Sequence, residues 1–194
     1  MPTEEQELLL RIKGGDGAAF EELFNLYYHR IYWYIYKLVG SAEVAEDLLQ
    51  NTFLRLYKGL KNYMPEGKVA AFIYTTAHNV ALTWLRDEGK ARKRLPHQTP
   101  RQNKEAGEAE PLDYVGDNTF RPDLMLQGKE TAKKALTAIN ELPQVYRVTF
   151  FLVCVEGFSN EEAAEILGCS HASLRVRLSR AKRLLAKKLW SKDE

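Results

Sequence analysis

The spacing of apolar residues constrains this chain more than any other feature. Nearly everywhere they recur at three- and four-residue intervals, and nowhere do apolar and polar residues alternate long enough to predict a strand. The pattern predicts an all-α protein. It fails only between about Pro96 and Arg121, where His, Gln, Asn, Gly, Pro and charge replace it and where Glu105, Glu108, Glu110, Asp113 and Asp117 make the chain locally acidic. Such a composition buries too little apolar surface to order itself, and it reads as a flexible linker. Two small helical domains are therefore expected, residues 1–95 and 122–194, joined by residues 96–121. Fully extended, the 26 linker residues reach roughly 85 Å at ~3.3 Å per residue. The two halves can then touch well-separated sites.

Composition narrows the class. A chain of 194 residues, 45% hydrophobic and 28% charged, has enough apolar side chains to fill two small cores. The most apolar stretch, Val148 to Val155, falls far short of the ~20 residues that span a bilayer. Glu4, Glu5 and Glu7 stand where a signal peptide would be basic. A cytoplasmic protein with no membrane insertion is expected. Cys154 and Cys169 form no C-x-x-C motif, and the four histidines are scattered, so no disulfide framework, metal site or cofactor is predicted. Gly14-Gly15-Asp16-Gly17 lacks the Lys-Ser/Thr of a phosphate loop, and no nucleophile has an evident base. An enzyme with a small-molecule substrate is not expected.

Start and stop signals divide the first half into four helices. One runs from about Glu4 to Lys13 and stops at Gly14-Gly15. Asp16 caps a second, ended near Val39 by Gly40. Ser41 caps a third, running to about Leu60. A loop through Met64-Pro65-Glu66-Gly67 precedes a fourth, which begins near Val69 and continues into the stretch from Arg86 to Arg94. The second helix is rich in aromatics, with Phe20, Phe24, Tyr27, Tyr28, Tyr32, Trp33, Tyr34 and Tyr36. Most of these read as core, with tyrosine hydroxyls reaching the rim.

The second half carries the sharpest local signal. Ser159-Asn160-Glu161-Glu162 is a capping box that opens a short helix, and Gly168 stands where a left-handed residue ends it. Ser170 then caps another helix. Two helices joined by so short a turn, the first apolar at Ala163, Ala164, Ile166 and Leu167, are a helix-turn-helix signature. On the second of them Leu174, Leu178, Ala181, Leu185 and Leu189 mark one buried stripe. The opposite face presents Arg180, Arg183 and Lys187, flanked by Arg175, Arg177, Lys182 and Lys188, with no acidic residue between Ser170 and Trp190. A plain solvated helix mixes charge signs to gain i,i+4 pairs. Single-sign charge placed directly behind a helix-turn-helix turn suits phosphate instead. In such readers the first turn of the second helix meets base edges. Ser170, His171, Ser173, Arg175 and Val176 are the candidates there, with Arg177, Arg180 and Arg183 nearer phosphates and Ser179 a further candidate on the same helix.

A second basic patch lies on the fourth helix. Phe72, Tyr74, His78, Asn79 and Trp84 lead into Arg86, Lys90, Arg92, Lys93 and Arg94. Rings interleaved with amides and cations suit unpaired bases, which stack on the rings beside an electrostatic track; packing into the core is the competing use of the same aromatics. The third helix differs. Asp47, Gln50, Asn51, Arg55 and Lys58 interrupt an apolar set of Val44, Leu48, Leu49, Phe53, Leu54 and Leu56, a mixture suited to a protein partner.

These residues resemble the extracytoplasmic-function class of bacterial RNA polymerase sigma factors, nearly from end to end. Gly15-Asp16 with Ala19-Phe20 is similar to the family's opening G-D-x-x-A-F. The run from Ala45 to Tyr57 resembles its polymerase-binding helix, with Asn51 in place of the usual acidic residue. Phe72-Ile73-Tyr74-Thr75-Thr76-Ala77-His78-Asn79 resembles the W-L-x-R-I-A-x-N segment of the minus-10 region, with Phe72 for Trp and Thr75 for Arg. Ala138 to Pro143 with Tyr146-Arg147 resembles L-x-x-L-P-x-x-x-R, and Glu156 to Ala164 resembles E-G-x-S-x-x-E-I/A-A. Leu174 to Ala181 resembles the minus-35 recognition helix, with Val176 where Ser is common.

The resemblance implies a sigma region 2 domain, a linker and a sigma region 4 domain, without the extra domains of housekeeping sigma factors. It implies that Asp47, Gln50, Asn51, Phe53 and Leu54 contact the β′ clamp helices of core polymerase. Lys61, Asn62, Tyr63, Phe72, Tyr74, His78, Asn79 and Arg86 would face melted minus-10 DNA, Asn79 beside a flipped base. The second domain would read the minus-35 duplex near the β flap, and the acidic linker would run near the RNA exit path. An anti-sigma factor is implied as a further partner. The competing reading is a helix-turn-helix regulator that binds an operator without polymerase, as a symmetric dimer.

Overall fold

In a computed structural model of the chain, residues 4–60, 68–94 and 129–190 are described. They form helices and turns, with no strand among the described residues. The chain divides into two compact units, Met1–Gln102 and Asn103–Glu194. The acidic stretch at residues 96–121 lies outside the described residues.

The first unit contains α1 (Glu4–Lys13), α2 (Gly17–Val39), α3 (Ala42–Leu60) and α4 (Val69–Arg94). Asp16 caps α2, its carboxylate accepting from the amides of Ala18 and Ala19 at 2.9 and 3.3 Å. Arg11 donates to the same carboxylate at 2.9 Å and to both oxygens of Glu22 at 2.9 and 3.0 Å, so the turn between α1 and α2 is braced from both sides. The guanidinium holds the Asp16 carboxyl below its ordinary range. Gly40 ends α2 at φ 74°, its amide donating to Tyr36, and Ser41 Oγ accepts from Val44 N at 3.4 Å.

Leu9, Leu23, Tyr27, Ile31, Tyr34, Ile35, Leu49, Leu56, Leu60, Ile73 and Tyr74 are buried together as the core of this unit. Aromatic contacts set how α2 meets its neighbours. Phe24 packs on Phe53 at 4.6 Å and Phe20 edge-on to Tyr57 at 5.1 Å, while Tyr34 packs edge-on to Tyr74 at 5.1 Å. A Cβ on Gly59 would come within 3.3 Å of the Phe72 ring, so a glycine lets α3 and α4 close on each other there.

The second unit contains α5 (Lys129–Asn140), α6 (Gln144–Phe150), α7 (Asn160–Ile166) and α8 (His171–Trp190). From Phe151 to Val155 the chain leaving α6 widens into a π turn, with Glu156 N donating to Phe151 O at 3.0 Å. Ala138, Leu142, Ala181 and Leu185 form a buried cluster covered by Ile139, Tyr146, Phe150 and Leu184. Leu174 and Ala181 are fully buried, as the stripe on α8 predicts, but Leu178 is only half-buried and Leu189 is 39% exposed. The last turn of the predicted stripe thus extends past the buried cluster.

Candidate nucleic-acid and protein interfaces

The turn between α7 and α8 is built as its residues dictate. Ser159 Oγ accepts from Glu162 N at 3.2 Å while the Glu162 carboxylate accepts from Ser159 N at 2.9 Å, satisfying two amides that have no partner within the helix. Gly168 takes φ 57°, the left-handed conformation that costs glycine little, and Cys169 N reaches back to Ala164 O at 3.0 Å. Ser170 Oγ then accepts from Ser173 N at 3.2 Å. Both helix starts are capped, and the buried Ala163, Ala164, Ile166 and Leu174 lock the two helices together.

That packing fixes which side chains α8 can offer. Ser170, His171, Arg175, Val176, Ser179, Arg180 and Arg183 are exposed, and Ser173 and Arg177 are half-buried. Val176 is 51% exposed, an apolar side chain between two arginines. His171 Nε2 lies 3.2 Å from Glu161 Oε1, across the turn. Arg180 Nη1 donates to Tyr146 Oη at 3.3 Å, which tethers one cation of the face to α6. Lys188 pairs with Glu141. Arg175, Arg180, Lys182, Arg183 and Lys187 stand exposed along α8, a set of cations suited to phosphate.

In the first unit the predicted minus-10 residues separate into two groups. Asn79 and Arg86 are exposed on α4, and Phe72 is half-buried. Tyr74 and His78 are not on that surface, contrary to the expectation. Tyr74 is fully buried and His78 is 6% exposed, because a step of ~100° per residue turns them toward α2 while Asn79 turns outward. His78 Nδ1 lies 2.9 Å from Tyr34 Oη, and burial lowers its pKa from 6.5 to about 4. The hydroxyls of Thr75, Thr76 and Thr83 donate to the carbonyls of Ala71, Phe72 and Asn79 at 2.7, 2.9 and 2.8 Å, so these threonines are engaged within the helix. Lys61, Asn62 and Tyr63 lie outside the described residues.

On α3, Asp47, Gln50, Asn51 and Leu54 are exposed. Phe53 is not part of that surface. It is 5% exposed and packs on Phe24, so it supports the face from beneath. Leu54 is 64% exposed, and Asn51 Oδ1 accepts from Arg55 Nε at 3.0 Å. Tyr57, which periodicity alone did not single out, adds a 47% exposed ring to the same face. Its place three residues beyond the exposed Leu54 is the signal that could have found it. Among the described residues, no group of three or more His, Cys, Asp or Glu comes together as a metal ion would need. No described helix is long and apolar enough to cross a membrane.

Comparison with known proteins follows the same division. Residues 23–91 match the model of sigma-70 region 2 and residues 132–185 that of sigma-70 region 4. The RNA polymerase sigma-H factor of Pseudomonas aeruginosa is 29% identical over 190 residues, covering 96% of this chain and 94% of that protein. The ECF RNA polymerase sigma-E factor of Escherichia coli is 26% identical over 187 residues, covering 95% of this chain and 94% of that protein. Among solved structures, a sigma factor RpoE in complex with the anti-sigma factor NepR, from Bartonella quintana, shares the fold. Its TM-score is 0.65 at 21% identity, over 90% of this chain and 98% of that one. CnrH in complex with the cytosolic domain of CnrY has a TM-score of 0.62 at 18% identity, over 97% of this chain and 99% of that one. A lone helix-turn-helix regulator accounts for only the second match. Region 2 and region 4 in that order, near full-length likeness to such relatives and the capped, basic α8 together place the chain in the extracytoplasmic-function class of RNA polymerase sigma factors.

Proposed function

We propose that the protein binds core RNA polymerase and directs promoter-specific initiation by dividing recognition between its two units. Residues 122–194 take the minus-35 duplex, with Ser170, His171, Ser173, Arg175 and Val176 at base edges and Arg177, Ser179, Arg180 and Arg183 toward phosphates. Residues 1–95 take the melted minus-10 strand on the exposed side of α4, where Asn79, Phe72 and Arg86 lie. Residues 96–121 serve as the tether. Leu54 and Tyr57, with Asp47, Gln50 and Asn51, form the face for the β′ clamp helices, and the second unit lies toward the β flap.

The observation that carries this reading is the acid-free basic face of α8 directly behind a doubly capped turn. Such a face attracts phosphate without sequence preference, and its few base-edge side chains supply the selection. The protein's part is recognition, so no side chain is assigned a bond-making role. It acts in the cytoplasm, where polymerase and chromosome meet. An anti-sigma factor is the proposed regulator, in keeping with the shared fold of a sigma factor solved in complex with the anti-sigma factor NepR.

A mobility-shift assay on a promoter fragment, with and without core enzyme, tests the division of labour. Retention is expected only with core present. Its affinity should fall with salt at about −0.9 in log-log slope per phosphate engaged. Tight, core-independent retention of a symmetric dimer would contradict the reading.

A further inference from the structure

The outward side of α2 carries an aromatic cluster that none of the roles above uses. The inward side is Leu23, Tyr27, Ile31, Tyr34, Ile35 and Leu38, all buried. A step of ~100° per residue places Tyr32, Trp33 and Tyr36 on the other side, and all three are only partly buried. An ordinary surface helix puts charged or small polar residues there.

The three rings hold one another. Tyr32 and Tyr36 are nearly parallel, 12° apart in plane and 6.4 Å between centroids, and Trp33 stands edge-on to both at 5.4 and 5.5 Å. A separation of 6.4 Å lies near the far end of the range for paired rings, so the two tyrosines overlap little, and each of the three residues keeps part of its surface exposed.

Charge selects the occupant. From Tyr27 to Val39 there is no acidic residue, while His29, Arg30 and Lys37 are present, Arg30 lying over the Tyr27 ring at 4.8 Å. Lys37 Nζ lies 5.9 Å from the Trp33 ring centroid. The Glu46 carboxylate on α3 accepts from the Tyr28 hydroxyl at 2.9 Å. Ring faces flanked by cations are the chemistry that receives unpaired bases, the rings stacking and the cations meeting the backbone.

Resting on the reading that this protein opens promoter DNA, we propose that Tyr32, Trp33 and Tyr36 form a stacking platform for unpaired nucleobases of the displaced promoter strand, separate from the α4 surface.

The test uses holoenzyme assembled from core polymerase and the full-length chain. Tyr32→Leu, Trp33→Leu and Tyr36→Leu together keep apolar cover and helix propensity but remove every stacking face. Trp33→Phe with Tyr36→Phe keeps rings. The half-life of open complexes after heparin challenge is measured, with core affinity in parallel. The triple leucine variant should shorten the half-life at least about tenfold with core affinity unchanged, and the phenylalanine variant should stay within about threefold of wild type. Should the triple variant lose helix content, Trp33→Leu alone is read the same way. An unchanged half-life overturns the proposal, as does a loss of core affinity, which would make this face a polymerase contact. A wild-type holoenzyme without promoter-specific transcript removes the underlying reading; an active wild type with an unaffected variant removes this inference alone.

Discussion

Tyr34 Oη lies 2.9 Å from His78 Nδ1 inside the first unit, joining α2 to the residue that immediately precedes Asn79 on α4. The pair fixes the rotation of α4 about its axis, and with it the outward direction of Asn79. Burial pushes the Tyr34 hydroxyl pKa well up and lowers that of His78 to about 4, so near neutral pH both groups are uncharged. With the ring proton on Nε2, the tyrosine hydroxyl donates to Nδ1.

This pair makes the stability of the first unit pH-dependent. His78 titrates near 6.5 when unfolded and near 4 when folded, so between those values the unfolded chain binds more protons. Its contribution is therefore complete above about pH 6.5 and is lost as pH falls toward 4, by up to roughly 3 kcal/mol. Urea unfolding at pH 4.5, 5.5 and 7.5 should show the decline in wild type and a flatter profile in His78→Gln. Equal slopes in the two proteins would remove His78 as its source. Tyr34→Phe should cost about 1 kcal/mol near pH 7.

The helix-turn-helix turn depends on one backbone conformation and one cap. Gly168 has φ 57° with nothing within 4 Å of where a Cβ would stand, so a side chain there meets backbone strain rather than a clash. Gly168→Ala should cost about 1 kcal/mol, and Gly168→Asn less. Ser159→Ala removes half of a capping box and should also cost about 1 kcal/mol. Thermal unfolding followed by circular dichroism measures each. No loss for Gly168→Val would be inconsistent with the turn as described.

On α3 the two adjacent residues Phe53 and Leu54 should respond in opposite ways. Leu54→Asp changes an exposed side chain, so it should leave stability within about 0.5 kcal/mol while weakening core binding at least about tenfold. Phe53→Ala empties a buried position against Phe24 and should cost roughly 3 to 5 kcal/mol of stability. Core affinity by fluorescence anisotropy, beside chemical denaturation, separates the two. If Leu54→Asp bound core normally, this face would not be the polymerase surface.

The DNA contacts divide by what they touch. Arg175→Ala should cost roughly 1 to 3 kcal/mol and relax preference at one minus-35 position, whereas Arg183→Ala should weaken all sequences alike and flatten the salt dependence. Asn79→Ala should slow open-complex formation with core binding intact. Promoter libraries read by holoenzyme report both kinds of effect. Uniform loss for Arg175→Ala would reassign it to phosphate.

Helix limits were legible because they are written in local chemistry: Asp16, Gly40, Ser159, Gly168 and Ser170 each satisfy or end a helix terminus by their own side chain or φ. The roles of Tyr74, His78 and Phe53 were not. A tyrosine or histidine suits both a wet surface and a satisfied interior, and adjacent residues differ by only ~100° around a helix. Only the partner across the core, Tyr34 for His78 and Phe24 for Phe53, decides which way each turns. The π turn at Phe151–Val155 was equally hidden. A nearly continuous apolar run has no phase, so one extra residue per turn leaves no mark in its periodicity.

On the function proposed above, promoter choice resides in this chain and initiation requires core polymerase. Run-off transcription with purified core enzyme and full-length protein, on the promoter of the protein's own operon, addresses it most directly. A transcript of defined start is expected with both components, absent with either alone, and abolished by substitutions in the minus-35 or minus-10 element. Core enzyme plus this protein yielding no transcript above that of core alone would contradict the account.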